Sequence, residues 1–139
     1  RGGAIKKAMS QAKGDLFVVM NGDIFTDLWL ELVIACHKQW DTLATVVTTP
    51  LISPYGVVES EGHLVTSFHE KPQLPHQINA GIYIMSREIL PLLPDQGDHE
   101  DTTFPALAEQ RRLGVYQSTG FWYSIDNFKD LAVVEKALK

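Results

Sequence analysis

Three stretches of the sequence set charged side chains where a strand pattern stops. In "LFVVMNGD" (16–23) five apolar residues run into Asn-Gly-Asp, which places Asp23 just past a strand. In "SFHEKP" (67–72) Glu70 and Lys71 follow a β-rich run, and in "GFWYSID" (120–126) Asp126 closes another. Two carboxylates at neighbouring strand ends can share a hard divalent cation; Mg²⁺ takes one or two carboxylates and fills its other positions with water and substrate phosphates. A lysine beside them supplies a point charge for a phosphate. A glutamate and an asparagine, here Glu70 and Asn79, fix hydroxyl groups by directional hydrogen bonds. Each signal alone has a plainer reading. Asp27 precedes a helical pattern and is expected to cap it, and Asp126 or Asn127 stands where a cap for the last helix belongs.

The elements that must hold these residues follow from periodicity. Ile5, Ala8, Met9 and Ala12 share one face of a helix over about 4–13. Leu16–Met20 has no polar alternation, which suits a strand covered on both faces, so Asp23 falls at the carboxyl end of a central strand, the edge where open α/β sheets bind ligands. A second helix is expected over about 28–40, with Leu28, Leu32, Ala35 and Cys36 at helical spacing. "LATVVTT" (43–49) follows as another buried strand. This β-α-β order implies neighbouring parallel strands. A hairpin is read at Tyr55–Glu59 and Leu64–Phe68 around Glu61-Gly62. Beyond it come a strand at Ile78–Ser86, a short helix from Arg87 to Leu93, a polar loop at "DQGDHEDTT", a helix over 104–112, two late strands and an amphipathic tail carrying Phe128, Leu131, Val134 and Leu138. The fold expected is a three-layer α/β/α sandwich with a mixed, mostly parallel sheet, forming one domain over residues 1–139.

Composition narrows the field. The chain has 139 residues, 45% hydrophobic, enough for one domain with a real core. A net charge of -5 and the lack of a Lys/Arg cluster argue against a nucleic-acid partner. No apolar run reaches membrane-spanning length. The single cysteine, Cys36, cannot form an internal disulfide and reads as a buried thiol, in keeping with a cytoplasmic location. The five histidines show no metal-ligand spacing. The set Phe121, Trp122 and Tyr123 reads as core and pocket wall. The chain opens at Arg1 on "RGGAIKKAMSQAK", which reads as the middle of a longer protein.

Taken in order, "NGDIFTD", "YGVV", "FHEKP", "INAGIYIMS" and "GFWYSID" resemble the sugar-1-phosphate nucleotidyltransferases, over nearly the whole chain. The resemblance implies a Rossmann-like nucleotidyltransferase fold. It also implies transfer of a nucleotidyl group from a nucleoside triphosphate to a sugar 1-phosphate, with Mg²⁺ as cofactor. Residue by residue, it implies Asp23 and Asp126 as Mg²⁺ ligands, Lys71 as partner of the sugar phosphate and Glu70 as partner of sugar hydroxyls. Gly56 would let the sugar approach the backbone, and Asn79 and Ala80 would line its pocket. "GFWYSIDNFKD" is similar to the Gly-Phe-Trp-x-x-Met-Asp-Thr-x-x-Asp form of glucose-1-phosphate cytidylyltransferases, which selects Asp126; a gapless match to the more frequent Asp-Ile-Gly-Thr-Pro form selects Ser124 instead. "GGAIKKA" is closer to the heptose- and mannose-1-phosphate guanylyltransferases. The family's N-terminal Gly-rich nucleotide loop has no counterpart in these residues. An N-terminally truncated catalytic domain is therefore expected, inactive by itself and self-associating into a homo-oligomer. The alternative is a non-catalytic or regulatory relative that keeps the sugar pocket. A receiver or phosphatase domain with Asp23 as phosphate acceptor fits less well, since its accompanying acids are missing.

Overall fold

The computed structural model describes residues 1–138. In chain order the elements are α1 (Gly2–Gln11), β1 (Leu16–Met20), β2 (Ile24–Thr26), α2 (Leu30–Gln39), β3 (Ala44–Ile52), β4 (Val57–Glu61), β5 (Leu64–His69) and β6 (Gln73–Ser86). A 3-10 helix (Arg87–Leu92), α3 (Thr103–Glu109), β7 (Leu113–Gln117), β8 (Trp122–Ser124) and α4 (Phe128–Ala137) follow.

The main sheet has four strands in the order β1-β6-β3-β7. β6 runs antiparallel to both its neighbours, and β3 and β7 are parallel. Three strands thus share one direction and β6 opposes them, which is the mixed sheet expected. The expected neighbours β1 and β3 are not adjacent, because β6 lies between them. β1 is therefore an edge strand among the described residues rather than a central one, with Val18 and Met20 partly open.

β6 carries the core because its alternation feeds both faces. Tyr83 and Met85 pack with Met9 of α1, Ile89 of the 3-10 helix and Phe104 and Leu107 of α3. Ala80, Ile82 and Ile84 pack on the other face with Val33 of α2 and Val47. These clusters make the three-layer α/β/α arrangement. Burying each large apolar side chain on β6 contributes roughly 1.5–3 kcal/mol, so this strand anchors the fold.

The inward face of α2 differs from the apolar spacing. Val33 and His37 are buried, Leu32 is largely exposed and Cys36 only partly covered. His37 goes inside because both ring nitrogens find hydroxyls there, Thr45 Oγ1 at 2.8 Å and Ser86 Oγ at 2.9 Å. Asp27 does not cap α2; the N-cap is Trp29, without a side-chain bond. Instead the Thr26 hydroxyl donates to the Phe121 carbonyl at 2.7 Å and accepts from Leu28 N at 3.1 Å, which organises the approach to the helix. The hairpin forms as expected around Glu61-Gly62, with Gly62 at φ +59. At α1, which has no side-chain cap, Arg87 donates to the carbonyls of Gly14 and Ala12 and lies 4.9 Å above the Phe17 ring.

Candidate active site

The site begins where β1 ends. Asn21 N donates to the Gly81 carbonyl at 2.9 Å, which ties the Asn-Gly-Asp bend to the middle of β6. Gly81 has φ +71, and a Cβ there would fall 2.6 Å from Asn21 Nδ2, so only glycine lets the two segments approach this closely. The chain then enters β2, which pairs with β8 as a small ribbon separate from the main sheet. Ile125 N donates to the Asp23 carbonyl at 2.8 Å, which brings the two acid-bearing segments together. Trp122 Nε1 donates to the Ala80 carbonyl at 2.8 Å and fastens the ribbon to β6.

Asp126 is freed from capping by its neighbours. Asn127 is the N-cap of α4, its side chain accepting from Lys129 N at 2.9 Å. The Asp130 carboxylate accepts from the backbone N–H of both Asp126 and Asn127, each at 2.9 Å. With this capping box in place, the Asp126 carboxylate accepts one side-chain hydrogen bond among the described residues, a long 3.5 Å approach from Ser124 Oγ. The plain capping reading therefore belongs to Asn127.

Asp23, Asp126, Asn79, Ala80, Glu100 and Trp122 line one cavity of about 290 Å³. A second hollow of about 450 Å³ adjoins it, sharing Arg1, Asn21 and Asp23 and reaching Ile5, Met20 and His99. Four residues expected from sequence (Asp23, Asn79, Ala80, Asp126) are thus brought together. The other three are not on these walls. Gly56, Glu70 and Lys71 stand at the base of the β4–β5 hairpin, where a Cβ on Gly56 would meet the Phe68 ring at 2.8 Å and Glu70 Oε2 at 3.0 Å. A side chain at Gly56 would therefore have to displace the tips of Phe68 and Glu70. Lys71 holds a left-handed backbone at φ +47, uncommon for a residue with a side chain. β6 runs from just after Lys71 to Asn79, so one strand connects the two groups.

Two functional candidates escaped the sequence. Glu100 and His99 lie in the segment read as a polar loop. Glu100 accepts from Asn79 Nδ2 at 2.7 Å and from the Tyr83 hydroxyl. His99 is fully buried, its ring edge-on to Tyr83 and Phe104, and burial lowers its pKa. The signal available was the spacing of "HEDTTF", whose Phe104 must face inward at the start of α3.

The donor set suits a hard divalent cation. Asp23 and Asp126 both line one cavity, and among the described residues no three His, Cys, Asp or Glu side chains converge to form a cage. Two carboxylates with open remaining positions is the arrangement by which Mg²⁺ binds substrate phosphates.

The architecture is an α/β/α sandwich in which Asp23 and Asp126 line one cavity at the junction of sheet and ribbon. The chain belongs to the nucleotidyl transferase family, whose model matches residues 3–139. It is 35% identical over 133 residues to the mannose-1-phosphate guanylyltransferase catalytic subunit beta of Drosophila pseudoobscura pseudoobscura, covering 91% of this chain and 36% of that protein. It is 30% identical over 136 residues to the probable glucose-1-phosphate cytidylyltransferase of Bacillus subtilis (strain 168), covering 96% of this chain and 54% of that protein. The chain therefore spans between a third and just over half of these relatives. Among solved structures, HddC from Yersinia pseudotuberculosis superposes with a TM-score of 0.70 at 24% identity, over 99% of this chain and 62% of that one. These agreements establish family and fold.

Proposed function

We propose that these residues serve the transfer of a nucleotidyl group from a nucleoside triphosphate to a sugar 1-phosphate. A sugar-phosphate oxygen attacks the α-phosphorus, the bond to the β-phosphate oxygen breaks, and pyrophosphate leaves with a nucleotide sugar as the other product. The relative named as a mannose-1-phosphate guanylyltransferase supports the mannose-1-phosphate form of this reading, and the heptose-1-phosphate form rests on the resemblance of "GGAIKKA". The observation that carries the proposal is the shared cavity of Asp23 and Asp126 beside Asn79 and Ala80.

In this reading Asp23 and Asp126 hold Mg²⁺, which when bound offsets the negative charge of the reacting phosphates. No covalent protein nucleophile is needed; the chain's work is positioning and charge complementarity. Asn79 and the Ala80 backbone bound the sugar. Glu70 and Lys71 approach from the hairpin, Glu70 toward hydroxyls and Lys71 toward the sugar phosphate. Gly56 supports the reading by letting the hairpin base close on Glu70. The lack of a membrane-length apolar helix among the described residues is compatible with a cytoplasmic setting. The open β1 edge supports association between copies.

The test is pyrophosphate release by the full-length gene product, with GTP, CTP, UTP and dTTP each paired with mannose, heptose and glucose 1-phosphates. Release that requires one nucleotide, one sugar 1-phosphate and a divalent cation is the expected result. Sugar 1-phosphate binding without release from any pair would replace transfer by the non-catalytic, regulatory alternative.

A further inference from the structure

α2 buries one side and leaves the other bare. Val33 and His37 enter the core, while Leu32 is 49% exposed and Ala35 and Gln39 lie open beside it. The helix starts and stops on tryptophan. Trp29 is its N-cap and Trp40 its C-cap, 77% and 39% exposed. A tryptophan left in water at a helix end forgoes a large apolar burial. A hollow of about 530 Å³ lies beside Trp29, lined also by Glu31, Leu32 and Ala35. Trp40 is held against the sheet, since a Cβ on Gly114 of β7 would meet its ring at 3.1 Å.

The residues of this bare face are balanced about the middle of the helix. Seven residues make about two turns and eleven about three. Glu31 and Lys38 therefore share one line along α2, Trp29 and Trp40 a second, and Leu32, Ala35 and Gln39 run between the two. The midpoint of Glu31 and Lys38 falls between Ile34 and Ala35, and so does the midpoint of Trp29 and Trp40. One two-fold axis at that point, with the helices antiparallel, brings each flank against the same flank of a second copy. It sets Glu31 against Lys38 of the second copy and Trp29 against Trp40 of the second copy, each twice. Neither Glu31 nor Lys38 pairs with an opposite charge among the described residues, so their complementarity is unspent within the chain. Ala35 at the crossing is small enough for close helix approach.

We propose that this face of α2 is an isologous contact on which a second copy of the chain docks antiparallel, with two Glu31–Lys38 ion pairs on one flank and two Trp29–Trp40 contacts on the other. A ten-residue helix ending in two tryptophans buries on the order of 1,000 Å² in total across such a contact. That is the low end for a specific interface, so the dimer is a weak one, with a Kd on the order of micromolar. No residue of the Asp23–Asp126 cavity takes part, and the contact stands or falls independently of the proposed function.

Sedimentation velocity of the full-length gene product over a concentration series tests it. The wild type should pass from monomer to dimer as concentration rises. Glu31→Lys and Lys38→Glu, both at exposed positions, each turn two attractions into two repulsions and should weaken dimerisation by about tenfold or more. The combined swap restores opposite charges across the axis and should return the Kd to within about threefold of the wild type. Trp29→Ala should also weaken dimerisation by about tenfold or more. A wild type that stays monomeric throughout overturns the inference. So does an oligomer indifferent to the single swaps, which assembles through another surface such as the open β1 edge, and so does a combined swap no tighter than the single ones.

Discussion

Replacing Gly81 by alanine should damage stability and site together, and the structure sets the size of the effect. At φ +71 an alanine meets the left-handed penalty of about 1–2 kcal/mol. Its Cβ would also lie 2.6 Å from Asn21 Nδ2 and 3.0 Å from Asn21 Cγ. The amide tip could swing away, but Cγ is restrained, since the Asn21 backbone is bonded to the Gly81 carbonyl at 2.9 Å. Relief therefore requires the Asn-Gly-Asp bend to shift, adding about 1 kcal/mol in the manner of overpacking. The total is roughly 2–3 kcal/mol, or about 6–12 °C in melting temperature for a domain of this size. Gly62→Ala is the control: Gly62 also has positive φ, at +59, but a Cβ there meets nothing within 4 Å. Both changes reduce the freedom of the unfolded chain equally, so the difference between them isolates the clash with Asn21. Urea denaturation of the two variants measures it. If Gly81→Ala costs no more than Gly62→Ala, the close approach of β1's end to β6 is not what holds Asp23 in place.

Two further outcomes follow from single residues. His37 and His99 are buried with pKa lowered by that burial, so the unfolded chain binds more protons than the folded one as pH falls below the ordinary histidine value near 6.5. Their contribution to stability is complete above that pH and is lost as pH falls toward the lowered values. The slope is at most about 1.4 kcal/mol per pH unit per histidine, and denaturant melts between pH 5 and 7.5 should show it flattened in His37→Gln. Lys71 trades strain for charge: Lys71→Gly should raise stability by up to about 1 kcal/mol by relieving φ +47. Both Lys71→Gly and Lys71→Ala should weaken sugar 1-phosphate binding by about tenfold, and unchanged affinity would remove Lys71 from the site.

What could be read from the sequence was whatever local chemistry decides. The Glu61-Gly62 turn, the apolar run Leu16–Met20, the strand ending at Ser86 and a cap at 126–127 were legible because turn residues, periodicity and capping act over a few positions. The misreadings came from partners distant in sequence. β6 inserts between β1 and β3, although nothing in the β-α-β order announces a strand 30 residues on. His37 displaced Leu32 from the inner face of α2 only because Thr45 and Ser86 wait there. Glu100 looked like one more solvated acid until Asn79 and Tyr83, both on β6, closed on it. At the site, the acids that end strand patterns were visible, while the group that fixes Asn79 was not. Asp27, expected as a cap, instead presses on Gly120, where a Cβ would lie 2.3 Å from its Oδ1.

In the proposed site Asp23 and Asp126 serve one cation. Mn²⁺ titration followed by electron paramagnetic resonance measures this directly, on the full-length gene product with a non-hydrolysable nucleoside triphosphate present. The variants needed are Asp23→Asn, Asp126→Asn and the two combined. Removing a group that only supports a metal ligand costs about 10–100-fold in affinity, so loss of a ligand itself should cost each single variant about tenfold or more. A shared ion predicts that the double variant loses less than the product of the two single losses, because the first substitution already disrupts the site. Wild-type Mn²⁺ affinity in either single variant, or losses that multiply independently, would contradict a shared site.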